Sequence, residues 1–199
     1  MGKIVFTWEF GGGLGHIQYD LPLAKELQER GHEVFCVMKD VVNADKILGQ
    51  HGIKVLQAPV WQVEVMKRIE NTFCYADTLY NHGYLIDGGL LSMVKAWRCL
   101  FETIKPDLLI GDHAPTALIA ARGTNIKVAL YGTGFFAPPL QNPIPSIMPW
   151  VQPPPGTIEQ SEQRAVDVIN DVLVEIGALK LESLSDLFVV DEMSSIVTS

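Results

Sequence analysis

Four glycines and a histidine, Gly11, Gly12, Gly13, Gly15 and His16, stand between a short β-prone run, Lys3–Trp8, and an amphipathic segment. Glycines in such a turn adopt positive φ and let a second molecule come close to the backbone. The helix end that follows offers free N–H groups and a positive dipole end, suited to a negative charge. A dinucleotide fingerprint is the first chemistry to test, and it fails on spacing. GxGxxG counted from Gly11 needs a glycine where His16 stands, and counted from Gly13 it needs one at Gln18. Asp40, preceded by Lys39, is the candidate for the acid that would hold a ribose. No GK[ST] follows the glycines, so a Walker-type phosphate cradle is excluded.

His16 turns the question from anion binding to proton transfer. An imidazole at a strand end can act as a base near neutral pH. It needs a carboxylate to fix its tautomer and stabilise its charged form. Asp112 is the candidate, because it follows the buried run Asp107–Gly111 and would lie at the same edge of the sheet. A structural reading competes: His16 caps one helix and Asp112 caps another that starts near Ala114. Spacing leaves the two open.

The elements that must position these residues alternate along the chain. Lys3–Trp8 reads as a buried strand. Residues 16–30 carry Ile17, Leu21, Leu23, Ala24 and Leu27 on one helical face and end at Gly31. Pro22 favours a helix start near Asp20 or Leu21. Glu33–Met38 is a second strand, 41–50 a helix and Ile53–Leu56 a third strand. This order implies a Rossmann-like, doubly wound parallel sheet in the α/β class, with helices on both faces. Residues 58–88 form a less regular excursion in which Trp61–Glu70 is a candidate helix. Residues 90–104 are a helix, Asp107–Gly111 a strand, Ala114–Arg122 a helix and Lys127–Tyr131 a strand. Residues 137–156 hold most of the chain's twelve prolines, which excludes a regular helix or central strand and leaves a long stiffened loop. Thr157–Leu179 is an amphipathic helix, and 185–190 with 195–197 a closing helix–strand pair.

Composition narrows the class of partner. The chain has 199 residues, 48% of them hydrophobic, which fits one globular domain. A net charge of −8 disfavours nucleic acid. Cys36, Cys74 and Cys99 form no CxxC pair and read as reduced thiols of a cytoplasmic protein. No apolar stretch is long enough to span a bilayer.

Three segments resemble the N-terminal half of a GT-B glycosyltransferase, nearest to bacterial relatives of the UDP-glycosyltransferase family. TWEFGGGLGHIQYDLPLAKELQERGHEV resembles its opening strand, glycine turn and first helix. PDLLIGDHAPTALIAA resembles the later strand that ends in an acid, and VALYGTGFFAPPLQNPIP the strand and proline-rich loop of bacterial members. The resemblance implies that His16 deprotonates an acceptor hydroxyl and that Asp112 pairs with it. The hydroxyl would attack the anomeric carbon of a nucleotide sugar, UDP- or dTDP-linked, with inversion. It implies no metal and no other cofactor; the chain has no DxD, and Asp112-His113 is its one adjacent pair of ligand types singled out. It also implies that residues 1–199 are a single acceptor-binding domain. The donor domain with its HxGxxT-like region is absent, through truncation or because a separate subunit supplies it. The chain alone is then inactive.

Gly13, Gly15, Trp61, His82, Phe135, Phe136 and Trp150 are candidate acceptor contacts. Gly132 and Gly134 lie at another strand end, and Trp97 reads as core. Glu9 could close onto the cleft. Lys95 and Arg98, in the apolar stretch 84–101, would suit a peripheral place at the inner membrane if the acceptor is lipid-linked. The alternative to an enzyme half is a non-catalytic subunit that binds an acceptor and recruits a donor-binding partner.

Overall fold

Lys3–Trp8 forms strand β1, and five of its six residues are buried. Ile4, Phe6 and Trp8 join one apolar cluster and Val5 the other, the pattern of a strand covered on both faces. The computed structural model describes residues 1–61, 68–190 and 195–197. After β1 come α1 (Gly15–Glu29), β2 (Glu33–Met38), α2 (Val41–Leu48) and β3 (Lys54–Gln57). The excursion carries α3 (Tyr75–Asn81). Then follow α4 (Gly89–Ile104), β4 (Leu108–Asp112), α5 (Pro115–Ala121), β5 (Lys127–Gly132), α6 (Thr157–Glu175) and β6 (Ser195–Val197).

The strands form one sheet in the order β3-β2-β1-β4-β5-β6, and every pairing is parallel. From β1 the chain winds outward to β3, then returns to lay β4 against the other side of β1. The connections leaving β1 and β4 therefore diverge, and a crevice opens above the carboxyl ends of these two strands. The register aligns Trp8 with Asp112 there. Ile17 and Ala24 of α1, with Ala44 and Leu48 of α2, pack on Phe6, Cys36, Met38 and Ile110. Helices α4, α5 and α6 cover Val5, Val37, Leu109 and Leu130 on the opposite face. The expected doubly wound architecture is the one observed.

Some boundaries differ from expectation, each for a physical reason. Helix α1 starts at Gly15, not near Leu21, and keeps Pro22 inside it. Pro22 lacks the N–H that would bond Gln18, but both residues are exposed, so the freed carbonyl lies on the solvent side. Helix α6 stops at Glu175, short of Leu179. There the Ala178 N–H donates to the Leu173 carbonyl and the Gly177 N–H to that of Val174, a Schellman-type ending. Of the expected helix Trp61–Glu70, residues 62–67 lie outside the described residues. The proline-rich stretch has no regular element, as anticipated, and is pinned at its centre. The Ile144 N–H donates to the buried Glu162 carboxyl at 3.0 Å, and the Ile147 N–H to the Phe73 carbonyl at 2.9 Å. Burial pushes the Glu162 carboxyl up to about 7.

Candidate active site

Strand β1 ends in the glycine turn, so the first turn of α1 is carried back over the crevice and His16 faces the end of β4. Its Nδ1 lies 2.6 Å from Oδ2 of Asp112, the last residue of that strand. The two are 8% and 2% exposed. With the ionised carboxylate as acceptor, Nδ1–H donates and the lone pair is on Nε2. The capping reading fails: the N-cap residues of α1 and α5 are Leu14 and Ala114, and neither helix takes a side-chain cap bond from His16 or Asp112.

The walls of the site hold the imidazole in one plane. Trp8 stacks on His16 with centroids 4.8 Å apart, and the Phe136 ring is also 4.8 Å away. Gly11 has φ +80, and a Cβ there would stand 3.0 Å from Nε2. Only glycine gives both that backbone and that clearance. The Lys39 ammonium donates to the Gly11 carbonyl at 2.6 Å and fastens the turn to the end of β2. A cavity of about 260 Å³ is lined by Gly12, Gly15, Tyr19, Gly132, Thr133 and Phe136 as well as the dyad. A Cβ on Gly132 would come within 3.0 Å of the Phe136 ring, so that glycine lets the ring lie over the site.

The structure brings Gly15 and Phe136 of the expected acceptor contacts to this cavity. Gly13 faces open space nearby. Phe135 is turned toward His113 and Tyr75 instead. His82 stacks on Phe10 at 3.8 Å and its Nδ1 meets the Thr78 carbonyl at 2.8 Å; burial lowers its pKa. Trp61 packs against Gly83 and Gly89, where a Cβ would touch its ring. Trp150 is 76% exposed and does not line the cavity. Trp97 is core, as expected.

Two expectations are corrected. Glu9 does not close onto the cleft. It turns inward and accepts from the N–H groups of Thr116 and Ala117 at 3.1 and 2.7 Å, capping α5, and burial pushes it up to about 8. Asp40, the acid weighed with the rejected dinucleotide fingerprint, caps α2 through Asn43. Arg98 does not face a lipid surface: its guanidinium donates to the carbonyls of Ala120, Arg122 and Ile176. No helix of the described residues is long and apolar enough to cross a membrane, and no group of three metal-binding side chains occurs among them.

Two further polar side chains lie at this site, His113 and Asp20. His113 has φ +48, and its carbonyl accepts from the Phe10 N–H at 3.1 Å. The ring lies among Phe10, Tyr75, Phe135 and Phe136 with neither nitrogen hydrogen-bonded among the described residues. Burial drives it down to about 3, so it is neutral. Nothing in the sequence signals a left-handed backbone at a histidine. Asp20 did leave a signal: it stands three residues after Ile17 and four before Ala24, on the buried stripe of α1.

No protein-family model matches the sequence, and no curated protein matches it. Solved structures do. The SsfS6 glycosyltransferase of Streptomyces sp. SF2575 matches with a TM-score of 0.55 and 17% identity, over 100% of this chain and 50% of that one. The spinosyn forosaminyltransferase SpnP matches with 0.57 and 17% identity, over 95% and 44%. Glycosyltransferase VinC, solved in complex with dTDP, matches with 0.54 and 14% identity, over 98% and 49%. The chain has the fold of a single GT-B glycosyltransferase domain and spans about half the length of these proteins.

Proposed function

We propose that this chain is the acceptor-binding half of an inverting, nucleotide-sugar-dependent glycosyltransferase, completed by a donor-binding half. The observation that carries the reading is the His16–Asp112 bridge across the β1–β4 crevice, with both residues lining one cavity. His16 Nε2 takes the proton of an acceptor hydroxyl. The oxygen attacks the anomeric carbon from the face opposite the nucleotide, forming the new C–O bond. The bond between that carbon and the phosphate oxygen breaks, and the nucleotide leaves with the electron pair. Asp112 stabilises the imidazolium and holds the ring in its Nδ1–H tautomer. Phe136 and the glycine turn shape the acceptor pocket. A UDP- or dTDP-linked sugar is the proposed co-substrate, supported by the dTDP in the VinC complex.

The test joins the chain to its donor half and supplies UDP- and dTDP-sugars with a panel of hydroxylated acceptors. The expected product has the anomeric configuration opposite to the donor's, read by NMR. A retained configuration, or transfer undiminished when this half is deleted, overturns the reading.

A further inference from the structure

Asp20 lies four residues beyond His16 on α1, so the two side chains share one face of the helix. It is fully buried, yet neither carboxyl oxygen has a hydrogen-bond partner among the described residues. The surroundings on that face are apolar, with Ile17 and Ala24 packed on Phe6, Trp8 and Met38. An isolated carboxylate is not stable in such a place. Asp112 follows Ile110 by two residues on β4 and therefore points to the same side of the sheet. Its Oδ2 is held by His16, but its Oδ1 is buried and also without a partner.

Asp20 and Asp112 thus carry three buried carboxyl oxygens without partners on one side of the sheet, near enough for the charge of one to act on the other. Two carboxyl groups so placed do not both ionise. Burial, and then the charge of Asp112, push Asp20 well above the carboxylate range. Burial raises Asp112 too, but its hydrogen bond to His16 opposes that, so the charge settles on Asp112. The Lys39 ammonium is the cation near the dyad and is engaged on the Gly11 carbonyl, while the two other titratable groups that feel Asp20 are uncharged. The Cys36 thiol on β2 is pushed up, above all by burial. The Tyr131 hydroxyl on β5 is raised by burial and donates to the Tyr19 carbonyl at 3.3 Å.

We propose that Asp20 is a positioning residue of the dyad: a neutral carboxylic acid whose O–H is donated to the free Oδ1 of Asp112. That carboxylate is then held from both sides, and its Oδ2 is presented to His16 in a fixed plane. Asp20 transfers nothing to substrate. It moderates the basicity of Asp112 and so of the imidazole in front. The role rests on the dyad reading above, but its test does not.

Infrared difference spectra of the whole chain at neutral pH compare wild type with Asp20→Asn. The expected result is a protonated-carboxyl C=O band that shifts in D2O and is missing from the variant. The band of Glu9 stays in both spectra and cancels. Nitrogen-15 NMR of His16 supplies a second readout. Asp20→Asn keeps a donor toward Asp112 and should titrate like the wild type. Asp20→Leu removes it, and the proton affinity of His16 should rise roughly tenfold. Identical infrared spectra, or Asp20→Leu titrating like wild type, overturn the proposal. If the leucine variant does not fold, the infrared comparison alone decides. Neither measurement involves sugar transfer, so a chain that fails as a transferase half can still show the band. A chain whose activity depends on His16 can equally lack it.

Discussion

Glu9 and Asp112 are two buried carboxyl groups at the carboxyl ends of neighbouring strands, and each bridges the same seam between β1 and β4. Glu9 starts from the β1 side and reaches α5; Asp112 starts from β4 and meets α1. What each bond leaves free differs. Glu9 satisfies two backbone donors that a helix start otherwise leaves orphaned. Its partners are main-chain groups that cannot change protonation. Asp112 spends one oxygen on an imidazole that lines a cavity together with it. A structural bridge saturates its atoms, whereas the bridge proposed to work leaves one carboxyl oxygen without a partner and ends on a side chain that lines a cavity.

Breaking the working bridge should produce the largest effect. His16→Ala in the complete enzyme should cost on the order of 10²–10⁴ in turnover, the usual contribution of a positioned base. Steady-state rates with saturating donor measure it, and full activity would remove the dyad from the mechanism. Breaking the structural bridge should act elsewhere. Glu9→Ala should lose about 1–3 kcal/mol of folding stability through two orphaned N–H groups, read by urea unfolding. Turnover below its melting point should fall less than tenfold; a larger fall would mean that the two bridges are not distinct.

A smaller effect sharpens the contrast through pH. The carboxyl of Glu9 titrates at about 8 in the folded chain against an ordinary 4.5, so the folded state holds its proton longer. The stability this contributes is complete below about 4.5 and is lost as pH rises through 8, at up to about 1.4 kcal/mol per pH unit. Glu162 acts in the same direction only to about 7. Between pH 7 and 8 the decline should therefore be visibly shallower in Glu9→Gln, measured by unfolding at each pH. An unchanged slope would mean that Glu9 is already ionised.

The sequence made the frame of this site legible because its signals are local. Hydrophobic runs mark β1, β2, β4 and β5, and the glycine turn separates β1 from α1. Once the sheet is parallel, all strand ends share one edge, which is why His16 and Asp112 could be paired. What stayed hidden depends on where a polar side chain turns. Glu9 and Asp40 look like residues free to meet a ligand, and only tertiary packing commits them to helix ends. Arg98 looks like a surface cation until α5 and α6 bring three carbonyls to it. Trp61 opens a candidate helix and Trp150 lies in the proline-rich loop, and neither setting reveals that the first packs on two glycines while the second is exposed. Asp20 is the instructive miss, since its helical spacing put it on the buried stripe while its residue type argued against that.

The bridge between His16 and Asp112 joins positions 96 residues apart, and that of Glu9 to Thr116 spans 107. Strands β1 to β3 and helices α1 and α2 can therefore emerge from a ribosome, and begin to pair, while both bridges still lack their second halves. Long-range contacts of this kind come late, because loop closure must precede any gain from them. An incompletely folded chain would carry the histidine but no carboxylate to orient it. On the proposed reading the base would come into being only when β4 docks beside β1, so chemical competence would report completion of the sheet.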